Sequence, residues 1–254
     1  MKLHLGDCLE VMRGMDAESV DLTVTSPPYD NLRTYNGFTF DFEGIAQQLY
    51  RVTKAGGVVV WVVGDATIKG SETGTSFRQA LYFKEIGFNL HDTMIYYRWS
   101  GPLTHNRYEQ EFEYMFILSK GRPKAFNPIM VDCKWYGTEA DRTGQIYSIH
   151  NEKNRKLRSG KERSNIKQHR INGNVWKINN ASQVGESTGH PAQFPEALAR
   201  DHITSWSNKG DTVLDPFCGS GTTGKMAKLL KRDFIGIEIS KEYLDITKKR
   251  LELV

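Results

Sequence analysis

The stretch VLDPFCGSGTT, residues 213–223, constrains the fold of this chain more than any other. A short β-type run ends in Asp215, and Gly219 and Gly221 then allow a tight turn and a close backbone approach to a ligand. The helix predicted from Thr222 presents unpaired N–H groups at the same place, which suits an anionic group. Glu238 stands 23 positions beyond Asp215, at the end of the next predicted strand. That is close to the spacing at which a carboxylate reaches ribose hydroxyls in nucleotide-binding βαβ units, so a nucleoside pocket in a parallel sheet is expected. GxxxxGK[ST] is absent, which argues against a P-loop that hydrolyses ATP.

The rest of the chain alternates strand and helix patterns, as an α/β fold requires. Strands are predicted at SVDLTVT (19–25) and GGVVVWVVGD (56–65), and helices at FEGIAQQLYRVT (42–53) and SFRQALYFKEIG (76–87). DTMIYYRWS (92–100) and EFEYMFILSKG (111–121) have no helix between them, which predicts an antiparallel pair at one side of the sheet. Residues 120–188 lose this rhythm and read as an insertion. The alternation returns over 189–254, with helices at PEALARDHITSW, TTGKMAKLLKR and KEYLDITKKRLEL and strands at DTVLD and FIGIEIS. Residues 1–119 and 189–254 are thus predicted to form one domain interrupted by the insertion.

Charge is distributed unevenly. The net charge is +4, but residues 150–177 hold nine lysines and arginines against Glu152 and Glu162, a local net of +7 that leaves the remainder at −3. Such a segment is a solvated surface or a polyanion footprint. Cys8, Cys133 and Cys218 are far apart and odd in number, so neither a disulfide framework nor a CxxC metal site is expected. His150 and His169 lack partners at metal-ligand spacing, and no metal site is predicted. The longest apolar run, Val58 to Val63, is too short to span a bilayer, and the N-terminus lacks signal-peptide architecture; a cytoplasmic protein without membrane contact is expected.

Two further stretches carry chemistry. KLHLGDCLEVM, at the N-terminus, reads as a strand, an acid and a helix; if that strand lies beside FIGIE, then Asp7 joins Asp215 and Glu238 along one carboxyl edge of the sheet. Asp7 also suits a plain helix N-cap. TVTSPPYDNL, residues 23–32, ends a strand with two prolines that fix φ and remove two donors, a stiff segment that aims its neighbours.

TSPPY, then a basic insertion, then HPAQFPEAL and DPFCGSGTT, in that order, resemble the β-class of S-adenosylmethionine-dependent amino-group DNA methyltransferases. The resemblance implies a Rossmann-like, seven-stranded mixed sheet in a circularly permuted methyltransferase fold, with residues 120–188 as target-recognition region. It implies S-adenosyl-L-methionine as cofactor and double-stranded DNA as substrate. Asp215 with Pro216 would meet the methionine amino end, and Phe217, Cys218, Gly219, Ser220, Gly221 and Thr222 would wrap the cofactor. Glu238 with Ile239 would hold the ribose, Asp7 with Cys8 the adenine region, and His190, Phe194 and Pro195 the other side. Ser26, Pro27, Pro28 and Tyr29 would form the catalytic pocket for a flipped base. Arg33 and Tyr35 on the following loop, and Lys153, Arg155, Lys156, Arg158, Lys161, Arg163, Lys167 and Arg170 in the insertion, are the DNA-binding candidates.

In the family that the chain resembles, aspartate is the commonest residue at the head of this segment and serine is more typical of cytosine-N4 enzymes, so the resemblance implies cytosine N4, with adenine N6 as the alternative. RNA methylation and a catalytically silent DNA-binding module are the competing functions. A cognate restriction endonuclease and a homodimer are partners the resemblance allows. No Pro-Cys pair occurs, so a cysteine nucleophile for C5 methylation is not expected.

Overall fold

The structure, a computed structural model, describes every residue except 29–39, 99–107, 135, 137–166, 181–192, 194 and 254. Two compact units result: Met1–Asn127 with Asn174–Val254, and Pro128–Gly173.

In the larger unit the chain runs β1 (Lys2–Leu5), α1 (Cys8–Arg13), β2 (Val20–Thr25), α2 (Phe42–Val52), β3 (Thr53–Val63), β4 (Thr67–Ile68), β5 (Ser71–Glu72), α3 (Thr75–Glu85), β6 (Asn89–Tyr97) and β7 (Phe112–Ser119). After β8 (Met130–Asp132) and β9 (His169–Ile171) of the smaller unit, it continues with β10 (Val175–Lys177), α4 (Glu196–Trp206), β11 (Thr212–Asp215), α5 (Thr222–Leu229), β12 (Asp233–Glu238) and α6 (Lys241–Glu252).

The main sheet has the order β1-β12-β11-β2-β3-β7-β6-β10. The five strands β1, β12, β11, β2 and β3 are mutually parallel, and β7 is antiparallel to both β3 and β6. The N-terminal strand therefore lies beside β12, with Leu5 paired to Glu238. All five parallel strands end on the same edge, which gathers Asp7, Glu238, Asp215, Ser26 and Asp65 along one line of strand ends.

The sheet departs from the predicted seven strands by an eighth. Val175–Lys177 adds in parallel to β6, pairing Trp176 with Tyr96. Only Trp176 of the three is buried, its ring stacked on His202 at 4.6 Å. A three-residue strand with one buried side chain leaves no alternation to read.

Burial accounts for the elements. Val58 to Val63 is buried on both faces, as expected of an interior strand covered by helices. Ile45, Ala46, Leu49 and Val52 form the buried stripe of α2, and Asp41 caps it by accepting the Gly44 amide at 3.0 Å. Trp61, fully buried, packs against Phe42, Phe83 and Phe217 at centroid distances of 6.0, 5.2 and 6.5 Å and donates its indole N–H to Gln79 Oε1 at 2.8 Å. On the opposite face, Met115 of β7 meets His202 of α4, Sδ to Nε2, at 3.1 Å.

In the smaller unit, β8 and β9 pair antiparallel, Met130 opposite Ile171 and Asp132 opposite His169. His169 Nδ1 lies 3.0 Å from Asp132 Oδ1, and Arg170 and Lys167 are exposed.

Candidate active site at the carboxyl edge

The turn after β11 carries two glycines in the left-handed region, and packing admits no side chain at the second of them. Gly219 and Gly221 have φ of 49° and 80°. A Cβ on Gly221 would stand 2.7 Å from Thr247 Cγ2 of α6. Thr247 itself donates its hydroxyl to the Gly219 carbonyl at 2.8 Å, so α6 is packed directly onto the turn. The Cys218 amide reaches Ile237 O at 3.0 Å and ties the same turn to β12.

A charged brace holds the outer side. Arg250 of α6 donates to the Ser220 carbonyl at 2.7 Å and to Glu196 Oε1 at 2.8 Å; Lys225 of α5 donates to that same oxygen at 2.6 Å. Glu196 directly follows Pro195, the N-cap position of α4. The start of α4, the glycine turn and α6 are thus joined by largely buried ion pairs. Sequence reasoning missed Glu196 and Arg250, because only the fold brings residues 54 positions apart together.

The three acids differ in character. Glu238 is nearly buried; Oε2 accepts the Gly219 amide at 2.8 Å and Oε1 the Ser240 amide at 2.9 Å. Each oxygen keeps a lone pair for a further donor such as a ribose hydroxyl. Asp215 is 2% exposed, and burial pushes its carboxyl up to about 6, with Glu238 adding to the rise. Its Oδ1 accepts the Thr25 hydroxyl at 2.7 Å and the Phe217 amide at 3.1 Å, contacts that oppose the rise. Asp7 is exposed and caps α1 through the Glu10 amide at 3.1 Å, yet it also sits at the strand end next to Glu238.

Both cysteines beside these acids are passive. Burial first, then the Asp7 charge, pushes the Cys8 thiol up to about 12, and burial first, then Asp215, drives Cys218 well above the ordinary range. A thiol held protonated is neither nucleophile nor metal ligand.

Ser26 follows the buried Thr25 directly, half-buried, with Pro27 buried and Pro28 half-buried. Thr223 Oγ1 donates to the Val24 carbonyl at 3.3 Å, a second tie between β2 and the first turn of α5. Asp65, at the end of β3, is occupied with the Ser76 amide at 2.9 Å, the Ser76 hydroxyl and the Thr73 hydroxyl, and so closes the β4–β5 hairpin onto α3.

Tyr29, Arg33, Tyr35, Lys153, Arg155, Lys156, Arg158, Lys161, Arg163, His190 and Phe194 lie outside the described residues. Among the described residues no group of three or more His, Cys, Asp or Glu is placed to hold a metal ion, and no helix is long and apolar enough to cross a membrane.

Acidic acceptors and a glycine turn at the carboxyl edge of an open parallel sheet define a nucleoside-binding α/β protein. The family model described as DNA methylase matches residues 20–249. The orphan methyltransferase M.BamHII of Bacillus amyloliquefaciens is 55% identical over 259 residues, covering 99% of this chain and 92% of its own. Among solved structures, the PvuII DNA methyltransferase (cytosine-N4-specific) aligns with a TM-score of 0.69 at 23% identity, over 98% of this chain and 85% of that one. The M1.HpyAVI–SAM complex aligns with a TM-score of 0.63 at 25% identity, over 98% and 99% of the two chains. The chain belongs to the DNA methylase family whose members modify exocyclic base amines at N4 or N6.

Proposed function

We propose that this protein transfers a methyl group to the exocyclic amine of a flipped base in duplex DNA, at cytosine N4 rather than adenine N6. S-adenosylmethionine is the cofactor, and it supplies an electrophilic methyl on a sulfonium. The residues present fit such a group. Glu238 keeps acceptor capacity for ribose hydroxyls, and the buried carboxylate of Asp215, held near pH 6, gains from an ammonium brought beside it. The turn Phe217–Gly221 gives a Cβ-free approach for the remainder, Asp7 with Cys8 flanks the adenine side, and Pro195 opens the opposite wall.

One observation carries the reading. The Thr25 hydroxyl bonds Asp215 at 2.7 Å, so the next residue, Ser26, stands where the cofactor turn begins. An exocyclic amine is a weak nucleophile because its lone pair is delocalised into the ring. Ser26 Oγ and the Pro27 carbonyl can accept its N–H groups and favour a pyramidal nitrogen, and the proline pair keeps those acceptors fixed. Catalysis of this kind is positioning and electrostatics without a covalent intermediate. Tyr29 supplies a face for the base, worth roughly 1–3 kcal/mol by analogy with single-strand binders.

The basic insertion, including Lys167 and Arg170, supports phosphate contacts, and with them a cytoplasmic, DNA-associated protein. The name of the Bacillus relative supports a chain that works without a paired endonuclease. Ser26→Ala is expected to abolish methyl transfer from tritiated cofactor to duplex DNA while cofactor binding persists, and Tyr29→Ala to behave alike. Full transfer by either variant would remove the assignment.

A further inference from the structure

We infer, on the basis of the function proposed above, that the Thr25 hydroxyl is a positioning contact that makes the Ser26–Pro28 acceptor segment depend on the state of the cofactor turn. Thr25 is fully buried at the end of β2, and its partner Asp215 is 190 positions away in sequence. The same carboxylate oxygen, Oδ1, receives the Thr25 hydroxyl and the Phe217 amide. A single atom therefore carries both the strand that delivers Ser26 and the first residue of the turn that wraps the cofactor.

The contact is poorly explained as packing. A buried strand-end position can hold valine as readily as threonine, and a buried hydroxyl is unfavourable unless bonded. Here the bond crosses from one strand to the other at the site itself. The segment after Thr25 transmits displacement rather than absorbing it, because Pro27 and Pro28 have fixed φ and restrict the residue before each of them. A shift of Asp215 on meeting its ligand is passed through Thr25 to Ser26 Oγ and the Pro27 carbonyl. The tie from Thr223 to the Val24 carbonyl keeps the strand in register with the turn during such a shift.

The link has an electrostatic signature that a merely structural role lacks. The titratable groups facing Asp215 are Glu238 from β12 and Cys218 from the turn, while β2 and α5 contribute the hydroxyls of Thr25 and Thr223. Among these, the Thr25 hydroxyl favours the ionised carboxylate, the form suited to an ammonium. Its removal makes Asp215 easier to protonate, so the acid limb of cofactor binding moves to higher pH.

The test compares the full-length wild type, Thr25→Val and Thr25→Ser. Calorimetric binding of S-adenosylmethionine is followed from pH 5 to 8, and single-turnover methyl transfer to unmethylated bacterial genomic DNA is measured at saturating cofactor. Thr25→Val is expected to raise the acid midpoint of binding by about one pH unit and to slow transfer about tenfold, the equivalent of one hydrogen bond to a charged group. Thr25→Ser, which keeps the hydroxyl, is expected to retain both. Wild-type behaviour of the valine variant, or equal loss in the serine variant, overturns the inference. If the valine variant does not fold, amide exchange in the wild type decides: cofactor should slow exchange at Ser26, and unchanged exchange overturns the coupling. A wild type that neither binds the cofactor nor labels DNA would instead remove the proposed function, and is seen before any variant is made.

Discussion

Arg250 and Glu196 meet at 2.8 Å, Nη2 to Oε1, with side-chain exposures of only 13% and 16%, while the other guanidinium nitrogen holds the Ser220 carbonyl. The last helix thereby fixes both the glycine turn and the start of α4. Arg250→Met keeps the aliphatic stem but removes the fork. Breaking such a partly desolvated, hydrogen-bonded pair is expected to lower stability by about 1–3 kcal/mol. Lys225 still neutralises Glu196, which sets the upper limit. Cofactor affinity should fall about tenfold with single-turnover transfer at saturation retained, because bound cofactor restores the turn on which the Ser26 segment depends. Thermal denaturation and calorimetry check the two parts separately.

Gly221 and Gly70 share nearly the same φ, 80° and 81°, but differ in surroundings: a Cβ would meet Thr247 at 2.7 Å at Gly221 and nothing within 4 Å at Gly70. Gly70→Ala is expected to cost about 1 kcal/mol, the backbone penalty alone. Gly221→Ala should cost a further 1–3 kcal/mol, roughly, from overpacking against α6, and should weaken the cofactor site. Equal losses at the two positions in urea unfolding would contradict the close packing of α6 on the turn.

Asp215 and His202 give opposite pH dependences. Burial raises the Asp215 carboxyl from 3.8 to about 6, so its contribution to stability is fully present below 3.8 and is lost as pH rises through 6, roughly 3 kcal/mol in all. Asp215→Asn keeps the acceptor for Thr25 and Phe217 without the charge. It is expected to melt higher than the wild type at pH 8, with the gap mostly closed at pH 4, and to lose cofactor binding.

His202 is wholly buried, and desolvation lowers it from 6.5 to about 3. Its contribution is present above 6.5 and is lost as pH falls toward 3, at a slope of about 1.4 kcal/mol per pH unit. In the wild type the two slopes oppose one another between pH 4 and 6. His202→Leu should therefore unmask the Asp215 slope, turning a nearly flat profile in that window into a stability that increases as pH falls. Urea midpoints at pH 4, 5 and 6 measure this directly.

If about five of the basic residues in 153–170 meet phosphates, the logarithm of DNA affinity should fall with the logarithm of salt at a slope near roughly −4.5. Neutralising Lys167 and Arg170 together should reduce that slope by up to about 1.8. Affinity that ignores salt between 50 and 200 mM would exclude the footprint.

The sheet was legible in the sequence wherever pattern is local. Val58 to Val63 reads as an interior strand because covering helices make it apolar on both faces, and Asp215 to Thr222 reads as a turn into a helix because glycine is required there. The placement of β1 beside β12 was the condition on which Asp7 joined Asp215 and Glu238, and the pairing of Leu5 with Glu238 meets it. What escaped depends on contacts across the fold. Thr25 looks like any β-branched strand residue until Asp215 is set against it, and Arg250 looks like one more cation on the outside of a terminal helix. Trp176 falls within the stretch that reads as an insertion, and a strand of three residues offers no alternation to set it apart. Asp7 answered to both of its readings, a cap by its hydrogen bond and a member of the acidic edge by its strand.

The identity of the labelled nucleoside is the most direct measurement. Duplex DNA methylated with the tritiated donor, digested to nucleosides and separated, should carry its label on the exocyclic nitrogen of cytosine. Label on carbon 5 of cytosine, or a protein that holds the donor yet leaves every base unlabelled, would contradict transfer to an amine at the Ser26 edge.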